Sequence, residues 1–223
     1  MNDQREKRSL RATGGFTLVE LLVVIAIISA LAGLLVPVIR TAKLKSMKSQ
    51  ASNTINALSL ALEAYNTDWA DYPPTSLSEY DVPTNGMNDG IESVLAHLTS
   101  RRKDGPYFED YKEEQLENYD DDRVVVAEFL DQINWLFGDD QLRELVDPFG
   151  NPYVYFHNRD YEMSYKVNQE FGEKSTVVQA GQSKKTATYF SPLKYQLWSM
   201  GPNGKSDTGP ETDSETSDDV GSW

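Results

Sequence analysis

Cysteine is absent from the 223-residue chain, so it has no disulfide framework, thiol nucleophile or cysteine-built zinc centre. Histidine is nearly absent. His97 and His157 are the only two, and they stand apart from each other instead of in HxxxH or HExxH spacing. They therefore read as ordinary core or surface residues and not as the ligands of a metal centre. No nucleophile elbow, phosphate loop or paired catalytic motif is present either. A membrane-anchored hydrolase would have to draw its acid/base groups from lone carboxylates such as Asp147 or Glu128, and nothing in their surroundings supports that reading.

The chain is also short of positive charge, with a formal net charge of −14. Two segments in the N-terminal part of the chain carry net positive charge. Residues 1–15 carry Arg5, Lys7, Arg8 and Arg11 against Asp3 and Glu6, and residues 40–48 carry Arg40, Lys43, Lys45 and Lys48 with no acid. Setting these clusters and Glu20 aside leaves −19 on the remainder, a surface that repels phosphate backbones and argues against a nucleic-acid partner. Aromatic residues make up 11% of the chain, too many for a disordered polymer, so most of it folds. The length suits one globular domain plus additional segments.

Leu21 to Ile39 carries no charge and is rich in Leu, Val, Ile and Ala, close to the roughly 20 residues a helix needs to cross a bilayer core. The basic leader favours a cytoplasmic N-terminus, a preference weakened by the second basic cluster. A plain signal anchor would explain the apolar run, and Ala30-Leu31-Ala32 offers a small-x-small site for ordinary signal cleavage near Gly33. Neither accounts for Glu20. A carboxylate at the edge of an apolar run is costly, about 2.5–3.5 kcal/mol at mid-bilayer and less near an end, and it calls for a cation.

Gly14-Gly15-Phe16-Thr17-Leu18-Val19-Glu20 with the apolar run behind it resembles the prepilin signature of type IV pilins and type II secretion pseudopilins. The resemblance implies cleavage by a prepilin peptidase after Gly15 and N-methylation of Phe16. It also implies a filament in which Glu20 meets the Phe16 amine of an adjacent subunit. Such a pairing of charges in a low-dielectric assembly can set register. Pro37 falls where this family has a proline that loosens the helix, since proline lacks a backbone donor and clashes with the preceding turn. Met47, Ala51, Ile55, Leu58, Leu62 and Tyr65 then follow at steps of three and four, one face of an amphipathic helix reaching about Trp69. The segments expected are a leader over 1–15, a transmembrane and assembly helix over 16–39, an amphipathic continuation over 40–72 and a globular domain over 73–223.

Tyr72-Pro73-Pro74 closes the helix. Beyond it, Ile91 to Leu98 has a helical pattern, Tyr119-Asp120-Asp121-Asp122 reads as a solvated acidic loop, and Val124 to Phe137 is of open type. Strand patterns occur at Pro152–Phe156 and Lys194–Ser199. The fold class expected is α+β, a type IV pilin-like fold with a long N-terminal helix packed on a small antiparallel sheet. Leu60 to Tyr65, Asp68, Tyr72-Pro73, Gly105-Pro106-Tyr107, Asp147 to Tyr153, Tyr195 to Gly204 and Asp218 to Trp223 resemble, in that order, the major pseudopilin of type II secretion systems. Met87 to Leu145 and Phe156 to Leu193 depart from that family's compact domain, which leaves a type IV pilus subunit as the alternative.

The resemblance implies an inner-membrane, single-pass subunit with its globular domain in the periplasm. Its expected partners are its own copies, minor pseudopilins, the inner-membrane assembly platform, the prepilin peptidase and membrane lipid. It further implies Ca²⁺ in the loop before the C-terminus, held by Asn203, Asp207, Asp218 and Asp219, with Asp213 also in reach. Hard oxygen ligands on such a loop suit calcium. Asn203 stands where the family has aspartate, so it contributes a neutral oxygen and weaker binding. The other reading of this Ser/Thr/Asp-rich stretch is a solvated, disordered tail; Trp223 favours the calcium site, since a terminal tryptophan could dock on the domain and fold the tail back.

Overall fold

The computed structural model describes residues 15–124, 137, 139–169, 174–183, 185–206 and 218–222. It divides into two compact units that meet between Lys43 and Leu44. One helix, α1, runs Leu18–Trp69 and has residues in both.

In the first unit the side chains of α1 are exposed on every face, among them Leu21, Ile25, Ile28, Leu35 and Ile39. This is the one helix among the described residues long and apolar enough to cross a membrane, with a mean hydropathy of 2.9 over its most apolar stretch. Pro37 lies inside α1 instead of ending it. It deprives the Gly33 carbonyl of its helical donor. The Thr41 hydroxyl in turn donates to the Pro37 carbonyl at 3.0 Å.

The second unit begins with the striped part of α1, which buries Ala51, Ile55, Leu58, Ala61, Leu62 and Tyr65 as the periodicity requires. The helix ends at Trp69, before the prolines, because Ala70 turns into the left-handed region at φ 60°. A second helix, α2 (Asp89–Leu98), covers the expected helical pattern and buries all ten of its residues. Among the described residues seven short strands follow: β1 (Leu116–Glu117), β2 (Glu144–Leu145), β3 (Val154–His157), β4 (Ser164–Gln169), β5 (Lys174–Gln179), β6 (Tyr195–Ser199) and β7 (Val220–Gly221). All pairings between them are antiparallel, in the orders β1-β2, β3-β6-β7 and β4-β5.

Both expected strands form, as β3 and β6, but neither has a polar face. Strand side chains alternate, and here both sides are covered. Tyr153, Tyr155, Tyr195 and Leu197 pack against Leu58, Leu62 and Tyr65 of α1 and Ile91 and Leu95 of α2. Val154, Phe156 and Trp198 pack against Tyr165, Val167 and Val178 of the β4-β5 hairpin. The segment 156–193, which departs from the family's compact domain, thus supplies the cover for the second face of the sheet. Gly90 sets how closely α2 approaches: a Cβ there would strike the Tyr155 carbonyl and the Tyr165 hydroxyl.

Buried polar groups fasten the loops to this core. The Tyr155 hydroxyl donates to the Pro73 carbonyl at 2.7 Å, and the His157 amide donates to the Thr75 hydroxyl at 2.9 Å. The Gln196 amide group donates to the Gly181 and Phe190 carbonyls and accepts from the Gly181 amide, so its side chain clamps the 181–190 loop. His157 Nδ1 accepts from the Arg159 amide and its Nε2 donates to Asp71 Oδ1 at 2.9 Å, which fixes the tautomer with hydrogen on Nε2. Both histidines are buried, at 1% and 4% exposure, so the core half of the sequence reading holds for each.

Two expectations follow. His97 donates from Nδ1 to the Ser93 carbonyl, and burial pulls its pKa from 6.5 down to about 4. Below pH 6.5 the unfolded chain takes up a proton that the folded chain refuses, so stability falls as pH drops towards 4, by about 2 kcal/mol at pH 5 from this group. Denaturant titrations at pH 7.5 and pH 5 should show that His97→Gln lacks that part of the fall. At Gly201, φ is +65° and a Cβ would lie 2.5 Å from the Asp218 carbonyl oxygen. Gly201→Ala should therefore cost about 1–3 kcal/mol and detach β7, seen as faster amide exchange at Val220 to Ser222.

Candidate functional site

At the start of α1, Thr17 and Glu20 cap the helix. The Thr17 amide and hydroxyl donate to Glu20 Oε2 at 2.8 and 2.7 Å, and the Glu20 amide donates to the Thr17 hydroxyl at 3.1 Å. This is a reciprocal capping box, built on the Thr-x-x-Glu spacing that favours a helix start. The spacing is legible in Thr17-Leu18-Val19-Glu20, yet the sequence reading treated Glu20 only as a partner for another subunit. Phe16 precedes the box and is exposed. Gly15, also described, has open space around its Cα.

At the other end of the chain, the turn Gly201 to Lys205 is gripped from three sides. Asn151 Nδ2 donates to the Gly201 carbonyl at 2.9 Å, and Gln169 Nε2 donates to the Gly204 carbonyl at 2.6 Å. The Asn203 amide donates to Asp218 Oδ2 at 3.1 Å, while Asn203 Oδ1 accepts from the Lys205 amide. Two of the expected calcium ligands, Asn203 and Asp218, are therefore neighbours. Asp218 Oδ1 is buried with no hydrogen-bond donor. Asp219 follows directly and leads into β7, whose residues Val220 and Gly221 pair with Ser199 and Trp198. Val220 and Gly221 thus join the sheet, and the Ser222 amide donates to the Leu197 carbonyl, so this short stretch is docked on the domain. Asp207, Asp213, Trp223 and Glu128 lie outside the described residues.

The acidic run 119–122 departs from the solvated loop expected of it. Asp121 is exposed, but Asp120 and Asp122 are half-buried and turn inward. Asp122 is held by reciprocal hydrogen bonds with Asn118, and Asn85 Nδ2 donates to Asp120 Oδ2 at 2.8 Å. They meet Asp89 and Glu92 from the first turn of α2 and Glu144 from β2. One carboxylate oxygen each of Glu92, Asp120 and Glu144 lies within 4.8 Å of the other two. Glu144 accepts from Asn88 Nδ2 at 2.8 Å and from the Tyr119 amide at 3.2 Å. Burial, with repulsion among these acids, drives Glu92 well above the carboxylate range, Glu144 to about 9, Asp122 to about 7 and Asp89 to about 6. The members come from positions 89 to 144, and no local motif links them.

Asp147, one of the two carboxylates considered for a hydrolase, is fully committed to structure. Its Oδ1 accepts from the Phe149 and Asn151 amides at 2.8 and 2.9 Å, and its Oδ2 accepts from the Ser199 hydroxyl at 2.5 Å. The side chain is 3% exposed and shapes the turn between β2 and β3.

Comparison with known proteins gives concordant results. The prokaryotic N-terminal methylation motif matches residues 10–36. The chain is 40% identical over 89 residues to the type II secretion system core protein G of Escherichia coli K12, covering 39% of this chain and 53% of that protein. It is 27% identical over 146 residues to the protein of the same name from Pseudomonas aeruginosa, covering 65% and 74%. With the one from Dickeya chrysanthemi it shares 43% identity over 65 residues, covering 29% and 42%. The chain thus spans about half the length of the Escherichia coli protein it matches. No solved structure gives a significant match. The methylation motif, the helix-and-sheet architecture and these likenesses together make the chain similar to the type IV pilin-like major pseudopilins.

Proposed function

We propose that the chain is a structural subunit of a type II secretion pseudopilus, cut after Gly15, N-methylated on Phe16 and polymerised through α1 to drive secretion of folded proteins. The observation that carries this reading is the state of α1 in the first unit. An apolar surface exposed all round has no stable place in water, and its one acid, Glu20, sits beside the cleavage position. Lipid satisfies that surface before assembly, and sister helices satisfy it afterwards. The proposed location is the inner membrane, with residues 73–223 in the periplasm. The proposed partners are further copies of the chain, minor pseudopilins, the assembly platform and the prepilin peptidase. Catalysis has no part in this reading, which the commitment of Asp147 to three internal donors supports.

Calcium in the C-terminal loop is part of the same proposal. The oxygen ligands there would be Asn203, Asp207, Asp218 and Asp219, and the orphaned Asp218 Oδ1 fits a cation. A bound ion would brace the turn Gly201 to Lys205 against the strand that follows Asp219, as a disulfide does in other chains.

Intact mass and N-terminal peptide analysis of the chain from its own membranes should find a start at methylated Phe16. A start near Gly33, or an uncut Met1, would overturn the reading. Glu20→Ala should leave monomer in the membrane and abolish filaments, and normal assembly would remove the register role. Asp219→Ala should lose about one equivalent of bound calcium and part of the metal-dependent gain in melting temperature. An unchanged equivalent count would remove the tail site.

A further inference from the structure

We propose that Glu92, Asp120 and Glu144, with Asp89 and Asp122 beside them, form a second site for a hard divalent cation of the calcium class. It is separate from the C-terminal loop and independent of the pseudopilus reading. The site is assembled from three pieces of the chain: the first turn of α2, the loop after β1, and β2.

The case rests on unsatisfied oxygen as well as on the number of acids. Asp89 Oδ1, Glu92 Oε1, Asp120 Oδ1 and Asp122 Oδ1 are all buried without a hydrogen-bond donor. Glu92 is 3% exposed, and one of its oxygens lies within 4.8 Å of an oxygen of Asp120 and of Glu144. A buried acceptor left unmade costs about 1–3 kcal/mol, and more when charged, so four in one place ask for a common partner. Among the described residues no basic side chain fills that role: the charges that weigh most on Glu92 are Asp122, Glu144, Asp120 and Asp89. The nearby basic residues point elsewhere, with Arg123 on Asp140 and Arg143 on Asp139.

The donor set selects the ion. It contains only carboxylate oxygen, which excludes soft-metal chemistry. Oxygens up to 4.8 Å apart can sit on opposite sides of an ion with Ca–O distances of about 2.3–2.6 Å. Magnesium wants about 2.0–2.1 Å and retains several waters, which suits a site closed by buried side chains less well. The surrounding hydrogen bonds hold the ligands without using up the orphaned oxygens. Asn88 Nδ2 and the Tyr119 amide steady Glu144, Asn85 steadies Asp120 through Oδ2, and Asn118 holds the Asp122 backbone. Such supporting contacts fix the orientation of metal ligands. A cation here would tie β2 and the 118–122 loop to α2 in a chain that has no cysteine for the purpose.

The test is calcium binding by the full chain in detergent micelles, measured by equilibrium dialysis, with melting temperatures in calcium and in chelator. Glu92→Gln and Asp120→Asn should each lose about one equivalent of Ca²⁺ relative to the unaltered chain, on top of the equivalent lost by Asp219→Ala. In chelator, Glu92→Gln should melt at or above the temperature of the unaltered chain, because the amide avoids the cost of burying an ionisable acid among other acids. In calcium it should melt below it. Asp120→Asn, at a half-buried position, gives a second reading if the amide at position 92 disturbs folding. Retention of the full calcium equivalents by both variants would overturn the proposal, as would an unaltered chain whose only binding is that abolished by Asp219→Ala.

Discussion

The burial of one stripe of α1 beneath β3 and β6 is the contact on which the rest of the second unit depends. Leu58, Leu62 and Tyr65 meet Tyr153, Tyr155, Tyr195 and Leu197 there, and each large apolar side chain removed from water contributes about 1.5–3 kcal/mol. The sheet alone could not supply this. Its strands are two to five residues long and its third member, β7, has only two. So short a ribbon is stable only when packed against something else. The helix gives it one covered face, and the β4-β5 hairpin gives it the other.

A chain without cysteine has to hold its loops by other means, and this one uses polar joints. Gln196, Asn88, Asp147 and His157 are all buried, and each takes hydrogen bonds from, or gives them to, two or more separate backbone or side-chain groups. Buried polar groups that are fully paired specify one arrangement, because any displacement leaves several of them unmet at once. The acidic cluster is the largest departure from this pattern among the described residues. Its oxygens are positioned as carefully as those of Asp147, yet four of them face other carboxylates instead of donors.

The helical half of the fold was legible because its physics is periodic. The apolar run, the stripe Met47 to Tyr65 and the pattern Ile91 to Leu98 each repeat a local rule, and α1 and α2 follow them. The strands at 154–157 and 195–199 were legible from Tyr, Phe and Trp content between turns. Their burial on both sides was not, because it depends on β4 and β5, which reach the sheet from a segment that looked foreign to the family. The 119–122 run was misjudged for a related reason. Charge runs usually face water, and what draws Asp120 and Asp122 inward is Asn85, Asn118 and the backbone of distant elements. In the C-terminal loop, adjacency of Asn203 and Asp218 followed from the resemblance, whereas the gripping of that turn by Asn151 and Gln169 has no local signature.

Glu20 shows how a single carboxylate can serve two ends without conflict. Both of its bonds from Thr17 fall on Oε2, so the cap uses one oxygen of the pair. A carboxylate that accepts hydrogen bonds from a helix's first turn is stabilised there by the unpaired amides and by the helix dipole. That offsets part of the cost of holding a charge at the edge of an apolar segment. Cleavage after Gly15 would leave Phe16 as the first residue and Thr17 as the second, so the capping box survives processing intact. In the proposed filament the neighbour's amine would then approach Oε1 of a carboxylate already fixed in orientation. The entropy of ordering the side chain is spent within the monomer, and the contact between subunits has only the charge pair itself to form.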